Sequence, residues 1–205
     1  MKKSILTLAA LLSMGMMTAF GQESMTQSVK PVGFYGQVIN EFIFTKKASP
    51  VRNHYSIGTE LGLRFQDKVF VGLYYTNSIV PTDLWRQTPN NALDMKQVHY
   101  GLSASYVQDF GGLFYGKVGL RAAYADIKQD YTITKENGTV VNKAESRTNS
   151  IALSPDLRIG AHITRWLDIE AGGTYRVNVR NHEKWGISTQ DFNGWGGTLS
   201  VKAKF

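Results

Sequence analysis

The sequence predicts an all-β fold, an eight-stranded antiparallel up-and-down transmembrane β-barrel preceded by a cleaved signal peptide. Three observations carry that expectation. After residue 30, apolar residues recur at every second position through eight segments, the period of an extended strand. The opposite face of these segments is rich in glycine and in charges of both signs. Short and long connections alternate between them, as in transmembrane barrels with short periplasmic turns and long outer loops.

The first strand is expected from Gly33 to Phe44, with Phe34, Val38, Phe42 and Phe44 on one face and Tyr35, Gln37, Glu41 and Ile43 on the other. The second runs from His54 to Phe65, the third from Val69 to Thr76 and the fourth from Val98 to Val107. The fifth covers Phe114 to Ala125, the sixth Ile151 to Ala161, the seventh Leu167 to Asn178 and the eighth Trp195 to Phe205. Pro155 falls inside the sixth and predicts a bulge, because proline cannot donate to a strand ladder. The long connection Asp126 to Ser150 holds Asn137-Gly138, which fits a type I′ turn and predicts a projecting two-stranded hairpin.

Residues 1–21 read as a secretory leader: Met1-Lys2-Lys3 is basic, Ile5 to Met17 is apolar, and Ala19 and Gly21 stand at the two positions a signal peptidase inspects. The apolar stretch is shorter than the ~20 residues a spanning helix needs. Residues 22–32 are then a short periplasmic segment and 33–205 the barrel. The chain has no Cys, which excludes a lipoprotein anchor and disulfide stapling alike.

A soluble barrel also has one apolar and one polar face, so the direction of the apolar face needs its own argument. Gly58, Gly62, Gly101, Gly119, Gly160, Gly172 and Gly196 lie on the polar face. The interior of an eight-stranded barrel is only just wide enough for side chains, so glycine has a steric reason to be there. The same face carries Glu41, Glu60, Arg64, Lys117, Arg121, Asp156, Arg158, Asp168, Glu170, Arg176, Lys202 and Lys204, expected to fill the lumen as one ion-pair network, since a buried charge is costly unless paired. Aromatic residues mark the ends of the apolar face: Phe34, Phe44, Tyr55, Phe65, Tyr75, Tyr106, Phe114, Tyr124, Tyr175 and Trp195. These suit two interfacial girdles in lipid.

The last strand places Trp195, Gly197, Leu199, Val201, Ala203 and Phe205 on one face and Thr198, Ser200, Lys202 and Lys204 on the other. It resembles the C-terminal strand of bacterial outer-membrane β-barrels, in which an alternating strand ending in Phe is read by the assembly machinery. The stretch from 33 to 205 resembles the small eight-stranded barrels of the OmpX-like and OmpA-barrel-like families. The resemblance implies the outer membrane of a Gram-negative-type bacterium, contact with outer-membrane lipid and lipopolysaccharide, recognition of Leu199, Val201, Ala203 and Phe205 by the barrel-assembly machinery, and loops free to meet a surface partner.

No catalytic constellation stands out among the four His. His99 and Ser103 share a face but lie about 13 Å apart at strand rise, too far for proton transfer. His99 and His162 are expected in the lumen, and His54 and His182 at loop edges. No His, Asp and Glu set has metal-ligand spacing, and no glycine-rich loop opens a helix, so neither metal nor cofactor is expected. The formal charge of +7 falls to +5 on loss of Lys2 and Lys3 (7 minus 2), and the remaining bases are scattered rather than gathered in the stripe that nucleic acid requires. The expected role is a non-enzymatic barrel presenting loops; a narrow passive pore and a lipid-modifying enzyme are the alternatives. Lys46, Lys47, Arg52, Arg180, Lys184 and Trp185 are loop candidates for lipopolysaccharide or another surface, and Trp85, Trp185, Phe192 and Trp195 for anchoring loops on the rim.

Overall fold

Alternation in the sequence becomes alternation in burial. The computed structural model describes residues 32–46, 49, 51–80, 91–134, 140–179, 183–184 and 187–205. The expected leader, Lys47, Trp85, Asn137-Gly138, Arg180, His182 and Trp185 lie outside the described residues.

The strands are β1 (Gly33–Thr45), β2 (His54–Phe65), β3 (Val69–Val80), β4 (Asn91–Asp109), β5 (Phe114–Thr134), β6 (Val140–His162) and β7 (Leu167–Asn178). A small hairpin of β8 (Glu183–Lys184) and β9 (Ile187–Ser188) follows, then a 3-10 turn at Thr189–Phe192 and β10 (Gly194–Lys204). β1–β7 and β10 form one closed antiparallel barrel in the order β1-β10-β7-β6-β5-β4-β3-β2. Closure pairs Val38 with Val201 and Glu41 with Thr198. At its lower end Phe34 N donates to Phe205 O at 3.1 Å and Phe205 N to Phe34 O at 2.9 Å. A closed barrel leaves no sheet edge in the hydrocarbon, where unpaired backbone groups are prohibitive.

The apolar face points outward. Leu199 and Val201 are 54% and 43% exposed, and Leu61, Leu73 and Leu157 more so. Inward, the same strands bury Glu41, Arg121, Arg158 and Lys202 almost completely. Aromatics stand at both ends of the outer band: Phe34, Phe65, Phe114 and Phe205 toward the short turns, Phe44, Tyr55, Tyr75, Tyr124 and Trp195 toward the long loops, all exposed. Tyr106 and Tyr175 are partly covered, and the Tyr175 ring packs against Trp195 at 4.6 Å between centroids.

Four strands run well beyond the sequence pattern. β3 continues from Thr76 to Val80, β4 begins at Asn91, β5 continues to Thr134 and β6 starts at Val140, and the last three project furthest, as a sheet whose β5–β6 part is the expected hairpin. Above the lipid the outward residues meet water. Asp126, Lys128 and Asp130 replace the apolar positions that mark strand period lower down, so the signal fades while the strands go on.

Pro155 makes no bulge. The β6–β7 ladder skips Ser154 and Pro155, yet Leu153 still faces Val177 and Asp156 still faces Thr174 in one register. Instead, Thr174 Oγ1 donates to the Pro155 carbonyl at 3.1 Å. The gap left by the missing donor is bridged by a side chain.

Candidate functional site in the barrel lumen

The interior is stratified. At the mouth with the short turns, Tyr35, Phe70, Val107 and Tyr115 form a buried aromatic-aliphatic floor. Two of these tyrosines sit over glycine. Tyr35 stands opposite Gly62 and Tyr115 opposite Gly160. A Cβ on Gly160 would meet the Tyr115 ring at 2.1 Å, and one on Gly62 the Tyr35 ring at 2.7 Å. Each glycine vacates the space into which a phenol leans, which lets two large rings share a narrow barrel.

The Tyr115 hydroxyl meets Glu170 Oε1 at 2.9 Å and Asp168 Oδ2 at 3.2 Å, while Lys202 Nζ donates to it at 3.0 Å. Lys202 Nζ also lies 4.5 Å from the Phe70 ring centroid and 4.8 Å from that of Tyr115, in the range of cation–π attraction. A mouth cavity of about 350 Å³ opens here, lined by Asp109, Tyr115, His162, Arg165, Asp168 and Lys204 among others. The His162 ring stacks on Tyr115 with centroids 4.7 Å apart, and its nitrogens face Asp168 at 2.8 Å and Asp109 at 3.4 Å.

From this mouth, ion pairs climb the axis without a break. Asp168 pairs with Lys204 at 2.9 Å and Lys202 at 3.2 Å. Lys202 reaches Glu170 at 2.8 Å, and Glu170 is shared with Lys117 at 3.2 Å and Arg158 at 3.3 Å. Arg158 continues to Asp156 at 3.0 Å, and Asp156 to Arg121 at 3.5 Å. Arg121 meets Glu41 at 2.5 Å, and Glu41 also holds Arg176 at 2.8 Å. Every carboxylate in this ladder has at least two cations and every step alternates sign, the arrangement a low-dielectric interior demands of charge. Neutral groups fill the gaps. Gln37 Nε2 donates to Glu170 at 2.8 Å and to Ser200 Oγ at 2.5 Å, and Arg121 donates to Thr174 Oγ1 at 3.3 Å.

Two of the charges expected in this network stand elsewhere. Arg64 lies at the β2–β3 turn, where it pairs with Asp67 and reaches the Phe205 carbonyl at 3.3 Å. Glu60 is buried in the lumen but accepts from Tyr35 Oη at 2.6 Å, and among the described residues no base pairs with it. Tyr35, Tyr115 and the buried Tyr74, whose ring centroid lies 5.5 Å from the Arg121 guanidinium carbon, are the members that sequence reasoning missed. Their signal was an aromatic at polar-face parity, which for Tyr35 and Tyr115 also meant a glycine directly across the strand.

Above Arg176 the lumen turns neutral. His54, Ser56, Thr76, Ser78, Gln97, His99 and Asn178 are all buried there. His54, expected at a loop edge, therefore faces the interior. His99 Nδ1 lies 3.4 Å from Thr76 Oγ1, whereas Ser103 Oγ donates to the Gly72 carbonyl at 3.3 Å. His99 and Ser103 take separate partners, as their spacing requires.

An apolar lid closes the outer end: Val51, Val80, Met95, Ile127, Ile187 and Phe192, all buried. Phe192 thus packs inside the mouth rather than on the rim, and Trp195 stands on the outer surface beside Tyr175. The 3-10 turn that carries Phe192 is held by a capping box between Ser188 and Asp191. Ser49 Oγ donates to the Asp191 carbonyl at 3.0 Å, and Asn178 N to Asn193 Oδ1 at 2.7 Å. The first and last outer loops are therefore tied to each other and to the wall.

No family model and no curated protein sequence matches this chain. Solved structures do. Neisserial surface protein A superposes with a TM-score of 0.55 at 17% identity, covering 87% of this chain and 100% of that one. The outer membrane protein OprG of Pseudomonas aeruginosa gives 0.56 at 13% identity, covering 89% and 99%. A major outer membrane protein of Thermus thermophilus gives 0.57 at 10% identity, covering 86% and 100%. At such identities the likeness concerns the fold, and together with the outward apolar band and aromatic girdles it makes this chain a small eight-stranded β-barrel of the outer-membrane type.

Proposed function

We propose that this barrel is a non-enzymatic integral protein of the outer membrane whose lumen is a plug and whose outer loops do the work, in envelope stability or in contact with a surface partner. The observation that carries this reading is the ladder from Asp168 to Arg176, joined to an apolar lid above it. Opening a water path would break several buried pairs at once, and each broken pair leaves an uncompensated charge costing about 3–5 kcal/mol. A rigid scaffold of this kind suits loops that carry recognition. Lys46 and Arg52, both exposed in the first loop, and Lys47, Arg180, Lys184 and Trp185 are the residues proposed to meet lipopolysaccharide phosphates or another cell's surface. The strand face of Leu199, Val201, Ala203 and Phe205 is proposed as the feature that the barrel-assembly machinery reads.

Planar-bilayer recording on refolded full chain tests the plug. Silent bilayers are expected. A steady unit conductance that changes on Arg121→Gln would instead establish the narrow-pore reading. Deleting outer loops one at a time tests recognition: envelope sensitivity or adhesion changes while the folded, heat-modifiable barrel persists. If all loops can be removed without phenotype, the recognition reading fails.

A further inference from the structure

Beyond the lipid-facing band, the outward face of β4, β5 and β6 changes chemistry in rows. Tyr75, Tyr100 and Tyr124 stand opposite one another on β3, β4 and β5, with the rings of Tyr100 and Tyr124 5.2 Å apart. Two residues further out, Asn77, Val98, Asp126 and Asn149 are in register, and Asp126 ends the apolar band on β5. Two residues beyond that, Lys96 faces Lys128, and Lys128 faces Arg147. In the next row Asp130 faces Glu145.

Three cations thus stand side by side on neighbouring strands, roughly 5 Å apart. Like charges placed directly opposite destabilise a sheet. Lys128 meets Asp130 at 3.2 Å and Glu145 at 3.4 Å, and Arg147 meets Glu145 at 3.2 Å, so these acids attract the row from its outer side. Toward the lipid, the neighbouring row of Asn77, Val98, Asp126 and Asn149 offers the single carboxylate of Asp126. Sorting the signs into layers, cations nearer the membrane and acids beyond, sets these ion pairs on the outer side and turns the like-charged row toward the lipid.

The layering does match a phosphate-bearing lipid surface. The cation row lies about 13 Å along the strand from the tyrosine row, or about 10 Å in height at a strand tilt near 40°. Lys and Arg stems let their heads swing back toward the headgroup zone. The row also looks sideways from the barrel, toward neighbouring lipids, since Ile127 and Gln129 on the reverse face are buried. We propose that Lys96, Lys128 and Arg147 form a strip that binds the phosphates of an outer-leaflet glycolipid of lipid A chemistry. A phosphate seated between adjacent cations replaces their repulsion with charge-assisted hydrogen bonds, Arg147 offering the bidentate fork.

The test uses purified full chain in zwitterionic-detergent micelles, titrated with bisphosphorylated lipid A, with phosphate-free lipid A and with inorganic phosphate. Wild type is compared with the triple variant Lys96→Gln/Lys128→Gln/Arg147→Gln. The triple variant is expected to bind bisphosphorylated lipid A at least about tenfold more weakly, a loss of the size that removed charge-assisted contacts produce. Without lipid A, its unfolding temperature, read by gel mobility, should stay close to that of wild type, because the like-charge row and its exposed ion pairs are lost together. Lipid A should then raise the unfolding temperature of wild type alone. Equal affinity in the two proteins, undiminished binding of phosphate-free lipid A, or full competition by millimolar inorganic phosphate would each overturn the proposal. Should the triple variant fail to fold, Lys96→Gln alone, at an exposed side chain, must still weaken lipid A binding; unchanged binding there overturns it equally.

Discussion

Glu41 on β1 and Arg121 on β5 meet at 2.5 Å, although β1 and β5 stand four strands apart whichever way the barrel is traversed. Their contact spans the full diameter of the lumen. It also couples the β10–β7 wall, through Arg176 on Glu41, to β6, through Asp156 on Arg121.

Removing one partner of this pair should be far more damaging than removing an exposed one. Glu41→Ala takes the paired carboxylate from buried Arg176 and, among the described residues, leaves buried Arg121 with the Asp156 carboxylate alone, and is expected to lower stability by about 3–5 kcal/mol. Arg64→Ala breaks the exposed rim pair with Asp67 and a long contact to the Phe205 carbonyl, and should cost about 0–1 kcal/mol. Urea unfolding from lipid vesicles, followed by tryptophan emission, measures both. Similar losses in the two variants would contradict a cross-lumen brace.

The glycines under the two phenols supply a steric prediction. Gly160→Ala drives a methyl into the Tyr115 ring and should destabilise by about 1–3 kcal/mol, the usual cost of overpacking. Gly197→Ala, on the lipid face with nothing within 4 Å of its added Cβ, should stay within about 0.5 kcal/mol of wild type. The same vesicle unfolding assay separates them.

The apolar lid predicts a difference in access. Because the chain has no native Cys, Ser78→Cys places a unique thiol on a buried lumen position of β3, two residues before Val80 of the lid. A membrane-impermeant maleimide should label it slowly. Adding Phe192→Ala should speed labelling by at least about tenfold, as local opening becomes easier while the barrel stays folded. Fast labelling with the lid intact would show that the outer mouth is open.

Phe205 separates assembly from stability. Its backbone pairs with Phe34 in both directions, whereas its side chain is 74% exposed. Phe205→Ala should therefore leave the refolded barrel within about 1 kcal/mol of wild type, as for an exposed position. In cells it should reduce the folded fraction, visible as loss of the heat-modifiable band. An unchanged cellular yield would remove the proposed assembly role.

Strand identity was legible because lipid and lumen impose opposite demands on alternate residues. Leu199 and Lys202 could be assigned to faces from spacing alone. The outer halves of β4, β5 and β6 were not legible, because water on the outward face accepts Asp126 and Lys128 as readily as apolar side chains. The bulge expected at Pro155 rested on the missing donor, and the Thr174 hydroxyl that bridges the gap comes from another strand.

Sequence by itself determined the all-β class and the direction of the apolar face, since each follows from local period and side-chain chemistry. Partner choice was decided only by tertiary structure. Barrel closure and register set which residues meet across the axis, so Glu41 finds Arg121, Glu60 takes the Tyr35 hydroxyl and Arg64 remains at the rim. Local sequence carries no term for distances across a lumen, and a shift of two residues in one pairing would have redrawn the entire ladder.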